Sequence, residues 1–370
     1  MSSLYGSDQS RESSPEPQLP NDDRTNAPIN ADGPIIADDF TDESSEFDSD
    51  SDMTSLSSSV LDYEYENGRR YHSNRSGHYM MPNDEEEQDR MDLAHHIWLL
   101  LMKGELHKAP VKNPQSILDL GTGTGIWALD IAEKFPGAKV IGNDISAIQP
   151  NWVAPNVEFI VEDFESEWFY KKNSFDFIHA RLLAGCVENW SQFFARVFDH
   201  LKPGGYFEIQ ESAVWAWSDD GTLKADSPFI QYLQAVNAAG QRMGRELNIY
   251  HKLKEWMIDA GFEDVQQFTY LLPSSPWPRD PYLKEIGKYQ AVMAQQAVES
   301  YGLRLFTQVL GWGAEPSRIF QATVKKQLRD KFMHAYIKES VPEGVFLGGE
   351  MVELTFGRVV VYGRKPVRQH

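Results

Sequence analysis

Residues 114–146 read PQSILDLGTGTGIWALDIAEKFPGAKVIGNDIS. A short apolar strand (116–120) runs into glycines at the alternate positions Gly121, Gly123 and Gly125. A helix follows over 124–135, and then a second strand over 138–145 that carries Asp144 near its end. Strand, glycine turn, helix and strand in one run form the opening unit of a parallel α/β sheet. Such sheets bind ligands at the carboxyl ends of their strands.

The spacing of the glycines selects the ligand. A dinucleotide fold asks for G-x-G-x-x-G, and here Ile126 stands where the third glycine belongs. Asp119 precedes the first glycine by two residues, at the strand end. A carboxylate there repels a pyrophosphate and attracts an ammonium group. S-adenosylmethionine meets that demand, because it carries an α-ammonium and a sulfonium and no phosphate. The reading assigns the ammonium to Asp119. It assigns close backbone approach to Gly121, Thr122, Gly123 and Gly125, and the two ribose hydroxyls to Asp144 with Ile145 beside it. Asp163 takes the adenine amino group with Phe164 next to the ring, and Asp176 is placed near the methionine end.

The alternation continues outward. Strands are expected at 156–163, 174–181 and 206–212, with a helix over 190–201. Upstream, Asn83 or Asp84 caps a helix whose first turn is acidic and whose Leu93, Ile97, Leu100 and Leu101 recur at helical spacing. Downstream the pattern predicts a loop and helix after 212, a helix over 250–262 and a strand over 263–273. Helical stretches at 282–299, 301–312 and 316–331 follow, and a closing strand at 359–366.

Charge divides the chain. Residues 1–90 carry 22 Asp and Glu against 6 Lys and Arg, while the other 280 residues carry 33 against 29. The acidity belongs to the front, where TDESSEFDSDSDMTSLSSS lacks the apolar content to order itself. Residues 1–60 are read as a disordered acidic, serine-rich tail, either an interaction arm or an inert solvated one. The near-neutral remainder has no Lys/Arg cluster of the kind that tracks phosphates, so no direct nucleic-acid contact is expected. A single cysteine, Cys186, suits a reducing compartment. No apolar run is long enough to span a bilayer, so no membrane association is expected, and the expected location is the cytoplasm, the nucleus or both. His95, His96 and His107 lack ligand spacing, and no metal site is assigned.

LDLGTGTGIWALDIA, VIGNDIS, FDFIHARLLAG and LKPGGYFEIQE resemble the cofactor motifs of class I S-adenosylmethionine-dependent methyltransferases. GRRYH, YMMPNDEEEQDRMDLAHH, ELHKAP, IQPNWVAPNVEF, SDDGTL, SSPWPRDP, VLGW and VVYGRKP resemble one fungal group, the LaeA-like methyltransferases. The resemblance covers about residues 62–366. It implies an α/β Rossmann-like fold: a seven-stranded, mostly parallel sheet with helices on both faces and bound S-adenosylmethionine. The organisation expected is a tail (1–60), a helical segment packed on the core (61–110) and a methyltransferase domain (111–370). Cap insertions fall near 212–250 and 273–331. Two departures from the group stand out. Asn143 replaces a small apolar residue before the acid, and about twenty residues, 338–357, separate HAY from VVYGRKP. That segment is either a genuine loop or the translation of an unspliced short intron.

Methyl transfer asks the protein to align nucleophile, methyl and sulfur and, for a hydroxyl or amine, to supply a base. The candidates for the base are His179 and Glu211, with His179 also a residue lining the cofactor pocket. Arg181 is a candidate holder of an acidic substrate group, and Trp127, Trp215 and Trp217 are candidate acceptor walls. No Pro-Cys nucleophile exists, and no N/D-P-P-Y/F follows the fourth strand. The acceptor classes left are a small molecule, as in secondary metabolism, and a protein side chain. The alternative is a nuclear regulator of fungal secondary metabolism that binds the cofactor and acts through protein partners.

Overall fold

The computed structural model describes residues 63–72, 79–337 and 358–367; the tail expected over 1–60 and the segment 338–357 lie outside the described residues. β1 (Tyr63–Glu66) and β2 (Arg69–His72) form a hairpin through an Asn67-Gly68 turn, a pair whose backbone suits two-residue hairpins. α1 (Glu85–Leu101) starts at Asp84, whose carboxylate accepts from Glu87 N at 3.0 Å. The segment before residue 110 is therefore not wholly helical, as the sequence reading had it.

Strands and helices then alternate: β3 (Ser116–Leu120), α2 (Ile126–Lys134), β4 (Lys139–Asp144), β5 (Val157–Val161), β6 (Phe175–Arg181), α3 (Trp190–His200) and β7 (Leu201–Ser212). After them come α4 (Pro228–Arg242), α5 (Leu253–Asp259), β8 (Glu263–Tyr270), β9 (Leu272–Pro273) and α6 (Pro281–Arg304). A π turn (Leu305–Val309), α7 (Ala314–Leu328), β10 (Tyr336–Ile337) and β11 (Arg358–Arg364) complete the described chain.

Seven strands share one sheet in the order β5-β4-β3-β6-β7-β11-β8. The first five are parallel, and β11 runs antiparallel to both its neighbours. Strand direction of winding reverses between β3 and β6, so a crevice opens beyond their carboxyl ends. Along β3, Ile117 packs with Trp127 and Ile131 of α2 on one face. Leu118 and Leu120 pack with Phe193, Phe194 and Val197 of α3 on the other. That alternation explains why the strands read as continuous apolar runs: both faces are covered.

α4, α6, the π turn and α7 build a second cluster around Tyr232, Val236, Val298 and Phe306. The stretches 282–299 and 301–312, read as two helices, are one helix, Pro281–Arg304, running on through the π turn to Val309. Gly302, inside this helix, is packed closely against Tyr232, Phe306 and Gln321, where a side chain would not fit. The hairpin is tied to both layers. Arg69 donates to both Asp84 oxygens at 2.6 and 2.8 Å, and buried Arg304 donates to Glu64 Oε2 at 2.6 Å with its guanidinium over the Tyr71 ring.

Candidate active site

The glycine turn sits in the crevice. Gly121, Gly123 and Gly125 all have positive φ. Gly125 begins α2, and a Cβ there would lie 2.3 Å from Phe159 Cζ, so only glycine permits this strand-to-helix turn. Gly121, Thr122 and Gly123 line a cleft of about 1170 Å³ of atom-free space, whereas Gly125 stands behind its wall.

Asp119 is buried below the turn with both oxygens engaged. Thr122 Oγ1 donates to Oδ2 at 2.6 Å, and His179 Nδ1 donates to Oδ1 at 2.7 Å. The His179 ring is fully buried and stacks on Trp127 with centroids 3.6 Å apart. Desolvation lowers its pKa against the pull of Asp119, so the imidazole is neutral. At the end of β4, Asp144 accepts from Gly123 N at 2.8 Å and from Ser146 N at 2.9 Å, and burial pushes it up to about 6. Asn143, the residue that departs from the family pattern, turns its Oδ1 towards Gly121 N at 3.4 Å and thereby faces the same turn. Ile145, Asp163 and Phe164 line the same cleft. Asp163 accepts from Glu165 N and Ser166 Oγ, which holds the loop after β5 in a side-chain-capped turn.

The structure thus brings Asp119, Gly121, Thr122, Gly123, Asp144, Ile145, Asp163, Phe164 and His179 around one cavity. The donor set fits the cofactor inferred from the sequence. Carboxylates, not cations, lie under the turn, matching an ammonium and ribose hydroxyls and opposing a pyrophosphate.

Asp176 is a correction. It lies at the amino end of β6, at the opposite end of the strand from the cleft. It accepts from Gln115 N and Ser116 N at 2.9 Å and from Lys202 Nζ at 2.9 Å. Its task is to anchor the entry to β3. Asp176→Ala is expected to cost about 2 kcal/mol of stability, as loss of charge-assisted bonds to backbone does. Cofactor affinity should stay unchanged; urea denaturation beside calorimetry reads both.

Arg181, the candidate holder of an acidic group, lines the cleft below the glycine turn. It donates to His95 Nδ1 at 3.1 Å, and His95 Nε2 in turn donates to Asp130 at 2.9 Å. Trp127 packs under the cleft, while Trp215 and Trp217 pack against the two core layers. Cys186 is a neutral thiol, pushed up to about 12 by burial.

A second cavity, with about 890 Å³ of atom-free space, adjoins the first under α4 and α6, and the two share Arg90, Ala94, Leu182, Ala184 and Tyr301 as wall. Its surface is mostly apolar, from Phe229, Leu233, Val236, Met293 and Val298 among others. Glu211, at the end of β7, lines it. One oxygen accepts from Leu183 N at 2.6 Å and Ala184 N at 3.1 Å, while Oε2 is buried without a partner. Burial lifts Glu211 to about 8. Leu182, just before, holds a positive φ of 56°. Glu211 therefore fastens a strained loop that separates the two cavities. Sequence reasoning missed Arg90, Tyr301 and Arg358 on these walls. Glu87, read only as one of the acids of the helix's first turn, is buried and paired with buried Arg90 at 2.6 Å.

A parallel sheet with one reversed strand beside its edge, a glycine turn after β3 and acids ending β3 and β4 define a class I methyltransferase. The methyltransferase-domain family model matches residues 86–267. Methyltransferase pytC of Aspergillus terreus is 40% identical over 290 residues, 78% of this chain and 89% of that protein. Secondary metabolism regulator LAE1 of Cochliobolus heterostrophus is 37% identical, over 73% of this chain and 91% of that protein. Protein-methionine methyltransferase laeA of Emericella nidulans is 34% identical over 77% of each. The chain belongs to the LaeA-like methyltransferase family and is an S-adenosylmethionine-dependent methyltransferase. None of its described helices is long and apolar enough to cross a membrane.

Proposed function

We propose that this protein methylates a small-molecule acceptor held in the second cavity, with Glu211 as the base. The observation that carries the reading is the cavity itself. It adjoins the first cleft across a shared wall, is roofed by α4 and α6, is mostly apolar, and contains a carboxylate oxygen without a partner among the described residues. A mostly apolar pocket with a few placed polar groups is the usual form of a small-ligand site. The relatives' names set the chemistry in secondary metabolism. The cytosol and the nucleus are the locations proposed.

In this reading Asp119 takes the α-ammonium of S-adenosylmethionine, Asp144 the ribose hydroxyls and Asp163 the adenine amino group, with Phe164 beside the ring. Bound there, the cofactor supplies an electrophilic methyl on a good leaving group. His179 acts as a positioning residue: its ring, clamped by Trp127, fixes Asp119 in one orientation. Its Nδ1 is committed to that bond and it does not line the second cavity, whereas Glu211 does, so Glu211 is the better base for an acceptor held there.

Asp144 gives the test. A protonated carboxyl cannot accept two ribose hydroxyls, and Asp144 takes up its proton as pH falls through about 6. Cofactor affinity is therefore full above that pH and weakens below it, approaching about tenfold per unit. Asp144→Asn should bind weakly at every pH with a flat profile. Calorimetry with S-adenosylhomocysteine at several pH values reads this. Tight binding that ignores pH, or preference for NAD over the methyl donor, would sink the reading.

A further inference from the structure

We propose that the acceptor is an organic acid with an apolar body, its anionic group paired with Arg358 in the second cavity. The inference rests on the reading of that cavity as the acceptor site. Arg358 opens β11 and is 1% exposed. Its contacts are the Ala94 carbonyl oxygen, to which Nη1 donates at 3.3 Å, and the face of Trp98, 4.7 Å away. Nε has no partner.

Among the described residues no carboxylate forms an ion pair with Arg358. The charged side chains that act on it are cations, Arg181 and Arg90. Arg90 is neutralised by Glu87 at 2.6 Å, and Arg181 is turned to His95 and the acids beyond it. Among the described residues Arg358 is the guanidinium left over. Glu211, on the same cavity, forms no ion pair with it among the described residues, and burial lifts Glu211 to about 8, so that it is mostly protonated at neutral pH. A buried charge without a counter-ion is strongly unfavourable, and burial holds this arginine down to about 9. Gln290 of α6, also buried on this cavity, has Oε1 without a partner. Its amide can swing its NH₂ towards the same anion. A guanidinium fork meets a carboxylate or enolate with two donors, while the aliphatic and aromatic walls take the rest of the molecule.

The arrangement separates two ends of the acceptor. The acid sits at Arg358, and the nucleophilic hydroxyl lies at Glu211. A lone pair of the hydroxyl oxygen forms the O–CH₃ bond as the C–S bond breaks, that bond's electron pair stays on sulfur, and the hydroxyl proton passes to Glu211 Oε2. The products are a methyl ether and S-adenosylhomocysteine, with no other reactant needed.

The test uses the full chain saturated with S-adenosylhomocysteine and two fluorescent probes, 6-hydroxy-2-naphthoate and neutral 2-naphthol. The acid should bind at least about tenfold more tightly than the naphthol, as one charge-assisted pair gives. Arg358→Met should erase that preference, with S-adenosylhomocysteine affinity and melting temperature retained; Arg358→Lys should restore part of it. Equal binding of the two probes, no binding of the acid, or an acid preference that survives in Arg358→Met overturns the proposal. So does labelled methyl appearing in protein and not in small acids of the host extract. If wild type fails to bind S-adenosylhomocysteine at all, it is the cofactor reading that falls, and the two failures are told apart.

Discussion

Replacing Gly123 with aspartate is expected to abolish binding of S-adenosylmethionine while the sheet stays folded. Gly123 has φ +58°, and its N–H donates to Asp144 Oδ2 at 2.8 Å. A side chain there takes the left-handed region at a cost of about 1–2 kcal/mol. Its Cβ would come within 3.1 Å of the Met91 sulfur, a flexible neighbour that can move aside. Strain alone is therefore tolerable. The charge is not: a second carboxylate beside Asp144 drives that group further towards its protonated form and fills the space the cofactor needs. We expect affinity to fall at least about 100-fold, close to 3 kcal/mol. Gly123→Ala, carrying the strain without the charge, should lose far less. Calorimetry with S-adenosylhomocysteine and a thermal melt of both variants make the comparison. If the protein's biological output persists in Gly123→Asp after binding is lost, methyl transfer is not how it acts, and the regulatory reading through protein partners gains.

The glycine turn and its acids were legible because they are local. Asp119, Gly121, Gly123 and Asp144 lie within 26 residues, and strand and helix periods fix which way each points. Asp163 and Phe164 were found by counting one more strand. What stayed hidden depends on distant pairing. Arg358 reaches the second cavity because β11 returns antiparallel beside β7, with Arg358 opposite Ser212. Nothing near it in the chain shows that pairing. Asp176 was misplaced for a related reason: it was counted as belonging to the fourth strand, but the end of the strand decides the role, and it stands at the wrong end. In α1 the period was right and the buried stripe rotated. Glu87, Arg90 and Ala94 face inward with Ile97 and Trp98, because the charged pair satisfies itself. A helix that carries its own counter-ion escapes a rule in which charges mark the outer face.

Glu211→Gln is expected to lower kcat by roughly 10²–10⁴, the usual worth of a general base, with cofactor affinity unchanged. The substitution is chosen because Glu211 has two tasks. Oε1 accepts from Leu183 and Ala184, and glutamine keeps that acceptor; Oε2 takes the proton, and glutamine cannot. A fall in kcat with the fold intact thus reports the second task alone. Wild-type kcat should rise with pH through about 8, where Glu211 becomes ionised, and that limb should vanish in the variant. Stability carries an independent signature. Glu211 binds its proton more tightly in the folded chain than in the unfolded one, so its contribution is full below the ordinary carboxylate range and is lost as pH rises through about 8. Wild type should therefore lose stability between pH 5 and 9 relative to Glu211→Gln, read by urea denaturation at both ends. A variant that keeps wild-type turnover of the acceptor recovered from labelled host extract would leave Glu211 as the fastener of the Leu182 loop. The base would then have to come from the acceptor's own ionisation beside Arg358.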